Sequence, residues 1–132
     1  MLLTEAEGIP ISAFTTSAQD AEVNTIETLV DIRVTKKRIR YLLYDKAADA
    51  DWLRDALEMR GTELVTPHRE GRRRPSRQDG RKLRRYRSRW KVERTISWLQ
   101  YERRLLTRHE RHAHLFEGFV HLACLKICLR QF

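Results

Sequence analysis

The chain has 132 residues, enough for one domain at most, and it carries a formal net charge of +9. That balance excludes an acid-rich surface and points to an anionic partner. The charge is concentrated: residues 1–68 hold 8 Lys/Arg against 12 Asp/Glu, whereas residues 69–94 hold 13 against 3. Two cysteines exclude a disulfide framework. No apolar run is long enough to span a bilayer, because His121 and Lys126 interrupt the longest, near residues 115–129. The first residues are acidic and lack the apolar core of a signal peptide, so the expected location is cytoplasmic, which in a bacterium includes the nucleoid.

In chain order, Met1 to Thr4 and Ile9 to Thr16 read as two short strands, with Glu7-Gly8 and Pro10 at the turn. Asp20 is placed to cap a helix in which Val23, Ile26 and Val30 follow at spacings of three and four, to about residue 33. Arg33 to Arg40 is a basic connector. Ile39 to Tyr44 reads as a buried strand ending in Asp45. Asp49 or Asp51 then opens a helix with Trp52, Leu53, Ala56 and Leu57 as its apolar face, closed by Gly61. Thr62 to Thr66 is a further strand. Residues 67–82 form a loop rich in Gly, Pro and Arg. A long helix is expected from Leu83 to Leu106 and an almost wholly apolar one over 113–131, so that 83–131 closes the domain as a helix pair. Single-helix connections between strands predict an α/β domain with a mixed sheet flanked by helices.

The segment from Tyr86 to Gln100 concentrates the chemistry. Tyr86, Arg89, Glu93 and Gln100 are separated by three, four and seven, which on an α-helix places all four on one stripe. Val92, Ile96, Leu99 and Leu106 would form an adjoining apolar stripe, with Glu93 at its edge among cations. A carboxylate so placed suits a metal beside a phosphate. Upstream, Arg72, Arg73, Arg74, Arg77, Arg81, Arg84, Arg85 and Arg87 form a dense cluster suited to DNA backbone contacts, which give affinity without sequence information. Trp90, Trp98 and Tyr101 are expected to pack on the helix pair. His109, His112 and His114, with Glu110, have spacings better suited to a turn than to a metal site. Cys124, Cys128 and His121 fit a buried helix face better than a zinc centre.

These residues carry a family resemblance. Tyr-x2-Arg-x3-Glu-x6-Lys is the signature around the last acid of many bacterial insertion-sequence transposases of the DDE type. Tyr86, Arg89 and Glu93 match it, and Gln100 stands where the family has Lys. Val92 to Leu105 and Glu117 to Arg130 resemble the family's closing helices. Tyr44 to Leu57 resembles its middle segment, with Asp45 at the second acid, and Gly8 to Ile11 resembles an early hairpin. The resemblance implies a DNA transposase with an RNase H-like fold. Asp45 and Glu93 would be catalytic metal ligands for two Mg²⁺ ions. Arg72, Arg73, Arg74, Arg77, Arg81, Arg84, Arg85, Tyr86, Arg89 and Gln100 would lie along double-stranded DNA, at element ends and target.

The family's first central strand, which carries its first Asp, has no counterpart before the hairpin. The fold is therefore expected as a truncated RNase H-like domain. Two-metal phosphoryl chemistry needs several carboxylates around ions roughly 3.5–4 Å apart, so this chain alone is expected to be inactive. The upstream half of a transposase, or a second copy, is the expected protein partner. A non-enzymatic DNA-binding protein, or an inhibitor derived from the transposase, is the alternative.

Overall fold

The computed structural model describes residues 1–17 and 19–131. The chain divides into two compact units: Met1–Ala21, Thr25–Thr35 and Trp90–Phe132 form one, and Glu22–Asn24 with Lys36–Arg89 the other. The α/β expectation holds in its coarse form. The strands make two separate two-stranded sheets, one antiparallel and one parallel, in place of the single mixed sheet expected from the sequence.

The first unit begins with a hairpin. Strands β1 (Leu2–Thr4) and β2 (Pro10–Ala13) pair antiparallel, with Leu2 opposite Ala13 and Leu3 opposite Ser12, and the register shifts after Leu3. The turn closes through the Gly8 amide on the Glu5 carbonyl (3.0 Å) and the Glu5 amide on the Ile9 carbonyl (2.9 Å). Gly8 has φ 89°, a conformation costly for any residue with a Cβ. Helix α1 (Ile26–Asp31) follows a 3-10 turn, Glu22–Thr25. Asp20 does not cap it: the residue before the turn is Ala21, with no side-chain capping bond. Leu3, Ala13, Ile26, Leu29, Val30, Ala123 and Ile127 are the buried apolar side chains of this unit. The Ser12 hydroxyl bonds the Leu29 carbonyl (2.6 Å), which ties β2 to α1.

The long helix expected over 83–106 is broken into pieces. They are α3 (Gly80–Leu83), a 3-10 helix (Arg84–Arg89), α4 (Trp90–Gln100) and α5 (Arg103–Leu106). Like charges three and four apart oppose a continuous α-helix through Arg81, Lys82, Arg84, Arg85, Arg87 and Arg89. Helix α6 (Ala113–Leu129) packs on β2, where His121 Nε2 lies 2.9 Å from the Ala13 carbonyl. It is less buried than its composition suggests, because Leu115, Leu122, Leu125 and Leu129 are exposed.

The second unit is a β-α-β element. Strands β3 (Tyr41–Leu43) and β4 (Glu63–Val65) run parallel, joined by α2 (Asp51–Met59). Leu53 and Leu57, four apart on α2, are fully buried with Leu42, Ala48, Leu64 and Val65. Trp52, expected on the same face, is 47% exposed. Gly61 (φ 71°) turns the chain out of the helix as expected.

Candidate nucleic-acid interface and acid positions

Asp45 follows β3 and caps a short 3-10 turn, Lys46–Ala48, through its Oδ1, which accepts the Ala47 amide at 2.8 Å. Its own carbonyl accepts the hydroxyl of Thr66 (2.6 Å), a residue with no solvent exposure. The Asp45 backbone is thus fixed between two strands while its carboxylate is only half-buried. Beside it, burial and the neighbouring carboxylates of Glu22 and Asp45 push the Tyr44 hydroxyl well above its ordinary range, and it donates to Glu22 (2.9 Å).

Asp49 and Asp51, the other acids of this segment, have different surroundings. The Asp49 carboxylate is buried among Arg72 Nη1 (2.8 Å), Arg54 Nη2 (3.1 Å), His68 Nδ1 (3.2 Å) and the Arg69 amide (3.0 Å). Burial alone would raise its pKa, but the donors from Arg69, Arg72 and Arg54 outweigh burial and hold it below the usual carboxylate range. Arg54 is itself buried, and its Nη1 bonds the Leu64 carbonyl (2.9 Å), so the cluster reaches β4. Asp51 takes Arg72 Nη2 (2.5 Å) and Arg74 Nη1 (3.0 Å), whose hydrogen bonds hold it down to about 2. Arg77 Nη1 lies 2.7 Å from Asp55. The sequence placed Arg72, Arg74 and Arg77 on DNA. In the fold their guanidinium groups lie on Asp49, Asp51 and Asp55 and hold the 67–79 loop along α2.

The remaining cations lie in the loop at Arg73, on α3 and on the 3-10 helix. Lys82 meets Glu63 on β4 (2.8 Å), and the Arg85 guanidinium sits 4.3 Å over the Tyr41 ring on β3. Arg89 lies over the Tyr86 ring at 5.4 Å. Arg73, Arg81, Arg84 and Arg87 are exposed.

The stripe of Tyr86, Arg89, Glu93 and Gln100 is not one helix face. Tyr86 and Arg89 stand on the 3-10 helix in the second unit; Glu93 and Gln100 stand on α4 in the first. Glu93 is an exposed residue of α4, not the edge of a buried face, and Ile96 and Leu106 of the expected apolar stripe are exposed too. The inward residue is Thr95, with no exposure, whose hydroxyl donates to the Gly8 carbonyl (2.6 Å). Lys91 Nζ bonds the Ala6 carbonyl and Arg94 Nη2 the Glu7 carbonyl, each at 2.8 Å. Arg94 is held over the rings of Trp90 and Trp98 (5.0 and 4.6 Å). A Cβ on Gly8 would come within 3.1 Å of both Arg94 and Thr95. The hairpin tip therefore grips the helix that carries Glu93. Trp90 and Tyr101, expected in the helix packing, are 52% and 83% exposed.

Sequence reading offered Asp49 only as a possible helix start, whereas α2 begins at Asp51, and it missed Arg54, Thr66 and Thr95. Among the described residues no three His, Cys, Asp or Glu side chains come together to hold a metal. His112 and His114 stack at 5.5 Å, and Glu110 pairs with Arg104 (3.1 Å). Cys124 and Cys128 are free thiols, and burial pushes Cys124 up to about 11. No helix of the described residues is long and apolar enough to cross a membrane.

Comparison with known proteins agrees with the signature. A protein named as a transposase for insertion sequence element IS402 of Burkholderia cepacia is 35% identical over 135 residues. The alignment covers 96% of this chain and 60% of the relative, so the chain spans about three-fifths of that protein's length. No solved structure matches. A family model described as the transposase DDE domain matches residues 1–129. The chain belongs to the DDE transposase domain family.

Proposed function

We propose that this chain is the C-terminal part of a bacterial insertion-sequence transposase, with a truncated RNase H-like fold, that acts in cutting element ends and joining them to target DNA. The family match across nearly the whole chain carries this reading. Asp45 and Glu93 are the proposed catalytic acids. Asp45 has its backbone held by Thr66 and its carboxylate half-buried, and Asp49 and Asp51, close in sequence, are paired with arginine. Glu93 is accessible on a helix fixed by the hairpin tip.

Mg²⁺ is the proposed cofactor, and carboxylate oxygens are suitable donors for it. Asp45 and Glu93 fall in separate units, and two carboxylates are fewer than a two-metal site needs. Strand cleavage is therefore assigned to the intact transposase, not to these described residues alone. Within this chain, Arg73, Arg81, Arg84, Arg85, Tyr86, Arg89 and Gln100 would orient double-stranded DNA through its backbone. The upstream part of the protein, or a second copy, is the proposed protein partner.

The test is cleavage of element-end DNA by the full-length transposase in Mg²⁺. Glu93→Gln is expected to abolish cleavage while DNA binding persists. Undiminished cleavage by Glu93→Gln would remove the assignment and leave a DNA-binding role.

A further inference from the structure

The basic segment is not one surface. From residue 83 to 89 the half-buried positions recur every three, at Leu83, Tyr86 and Arg89, and the residues between them, Arg84, Arg85, Arg87 and Ser88, are exposed, as is Arg81 before them. A period of three is the repeat of the 3-10 helix that spans Arg84–Arg89, in which Arg84 and Arg87 eclipse about 6 Å apart along the axis; Arg81 precedes them on α3. The row of Lys82 and Arg85 faces the sheet, through Glu63 and the Tyr41 ring. The guanidinium groups of Arg81, Arg84 and Arg87 have no partner among the described residues, and the Arg81 amide donates to Asp79 Oδ1 (2.8 Å). Arg72, Arg74 and Arg77 are on Asp49, Asp51 and Asp55.

We infer that Arg81, Arg84 and Arg87 are a rail that contacts successive phosphates of one DNA strand, and that Arg72, Arg74 and Arg77 are a strap that folds the loop. This rests on the proposed DNA-binding function and divides its cations by role. A guanidinium already neutralised by a carboxylate gives up that pair to reach a phosphate, so it adds little net affinity. An exposed guanidinium without such a partner releases a DNA counterion at full effect. Anchoring α3 on β4 through Lys82 and the 3-10 helix on β3 through Arg85 also fixes the backbone that carries Arg81, Arg84 and Arg87, so less freedom is lost on binding.

The experiment compares two double variants that remove the same charge. Arg84→Gln/Arg87→Gln removes rail residues, and Arg74→Gln/Arg77→Gln removes strap residues. Affinity for a labelled duplex DNA is measured by fluorescence anisotropy across a salt series, beside a thermal melt of each variant. The rail variant is expected to bind on the order of tenfold more weakly near 0.1 M salt, with the log–log salt slope reduced by about two and the melt unchanged. The strap variant is expected to melt earlier and to keep its affinity within about threefold. If it does not fold, Arg74→Gln alone (its side chain is 76% exposed) is compared with Arg84→Gln. Equal losses from rail and strap, or a larger loss from the strap, would overturn the division. If the unsubstituted chain shows no salt-dependent binding, the DNA-binding function itself falls, and the rail with it.

Discussion

The two units hold their proposed catalytic acids in different ways. The unit carrying Asp45 is organised around a buried carboxylate: Asp49, paired with Arg54 and Arg72 and 3.2 Å from the His68 ring, joins α2, β4 and the 67–79 loop. The unit carrying Glu93 has an apolar core of hairpin, α1 and α6, and fixes α4 by one buried hydroxyl and a left-handed glycine. In both, a fully buried threonine ties the backbone near the acid, Thr66 at Asp45 and Thr95 two residues after Glu93. The acids proposed for chemistry are accessible, and the acid that is buried and saturated belongs to the fold.

This contrast breaks most visibly at Asp49. Asp49→Ala would leave Arg54 buried without its carboxylate, at a cost of about 3–5 kcal/mol, read as a shifted urea midpoint. Gly8→Val meets both a positive φ and a close approach to Arg94 and Thr95, so it should cost about 1–3 kcal/mol in the same measurement. Thr95→Val leaves the Gly8 carbonyl without its hydroxyl donor and should cost about 1–3 kcal/mol, towards the lower end because the shape is kept. If the hairpin grip is local to α4, hydrogen exchange in Thr95→Val should quicken there while β3 and α2 keep their protection.

Acid should separate the units further. Asp51 is held down to about 2 by Arg72 and Arg74, and Asp49 is lowered as well, net of its burial. A folded-state pKa below the unfolded value means that the contribution is complete at neutral pH. It is lost as pH falls from about 4, the ordinary carboxylate value, through the folded value. The strap around α2 is therefore expected to loosen between about pH 4 and 2. The Thr95–Gly8 contact contains no titrating group, and its local protection should change less. The smallest expected effect is Arg74→Gln alone, which removes an exposed pair on Asp51 and should leave the urea midpoint close to that of the unsubstituted protein.

Much of the outline was legible in the sequence. The hairpin followed from Gly8 and Pro10 between apolar runs, and the β-α-β element from Leu53 and Leu57 between two short strands and Gly61. The signature residues identified the family. The stripe through Tyr86, Arg89, Glu93 and Gln100 misled because spacings of three, four and seven fit an α-helix, whereas Tyr86 and Arg89 stand on a 3-10 segment. Period three and period 3.6 are hard to separate over so few residues. The arginine cluster read as one surface because its partners Asp49, Asp51 and Asp55 lie some twenty residues earlier, and only folding brings them together. Thr95 escaped notice because its role depends on a hairpin more than eighty residues away.

The most direct measurement compares Asp45→Asn with Asp49→Asn, four residues apart. Both changes are made in a complete element encoding the intact transposase, with transposition scored in cells and the melting of each purified protein recorded. The account predicts that Asp45→Asn abolishes transposition at an unchanged melting temperature, and that Asp49→Asn lowers the melting temperature. Loss of transposition by Asp49→Asn at full stability, with Asp45→Asn still active, would contradict it and move the catalytic acid into the buried cluster.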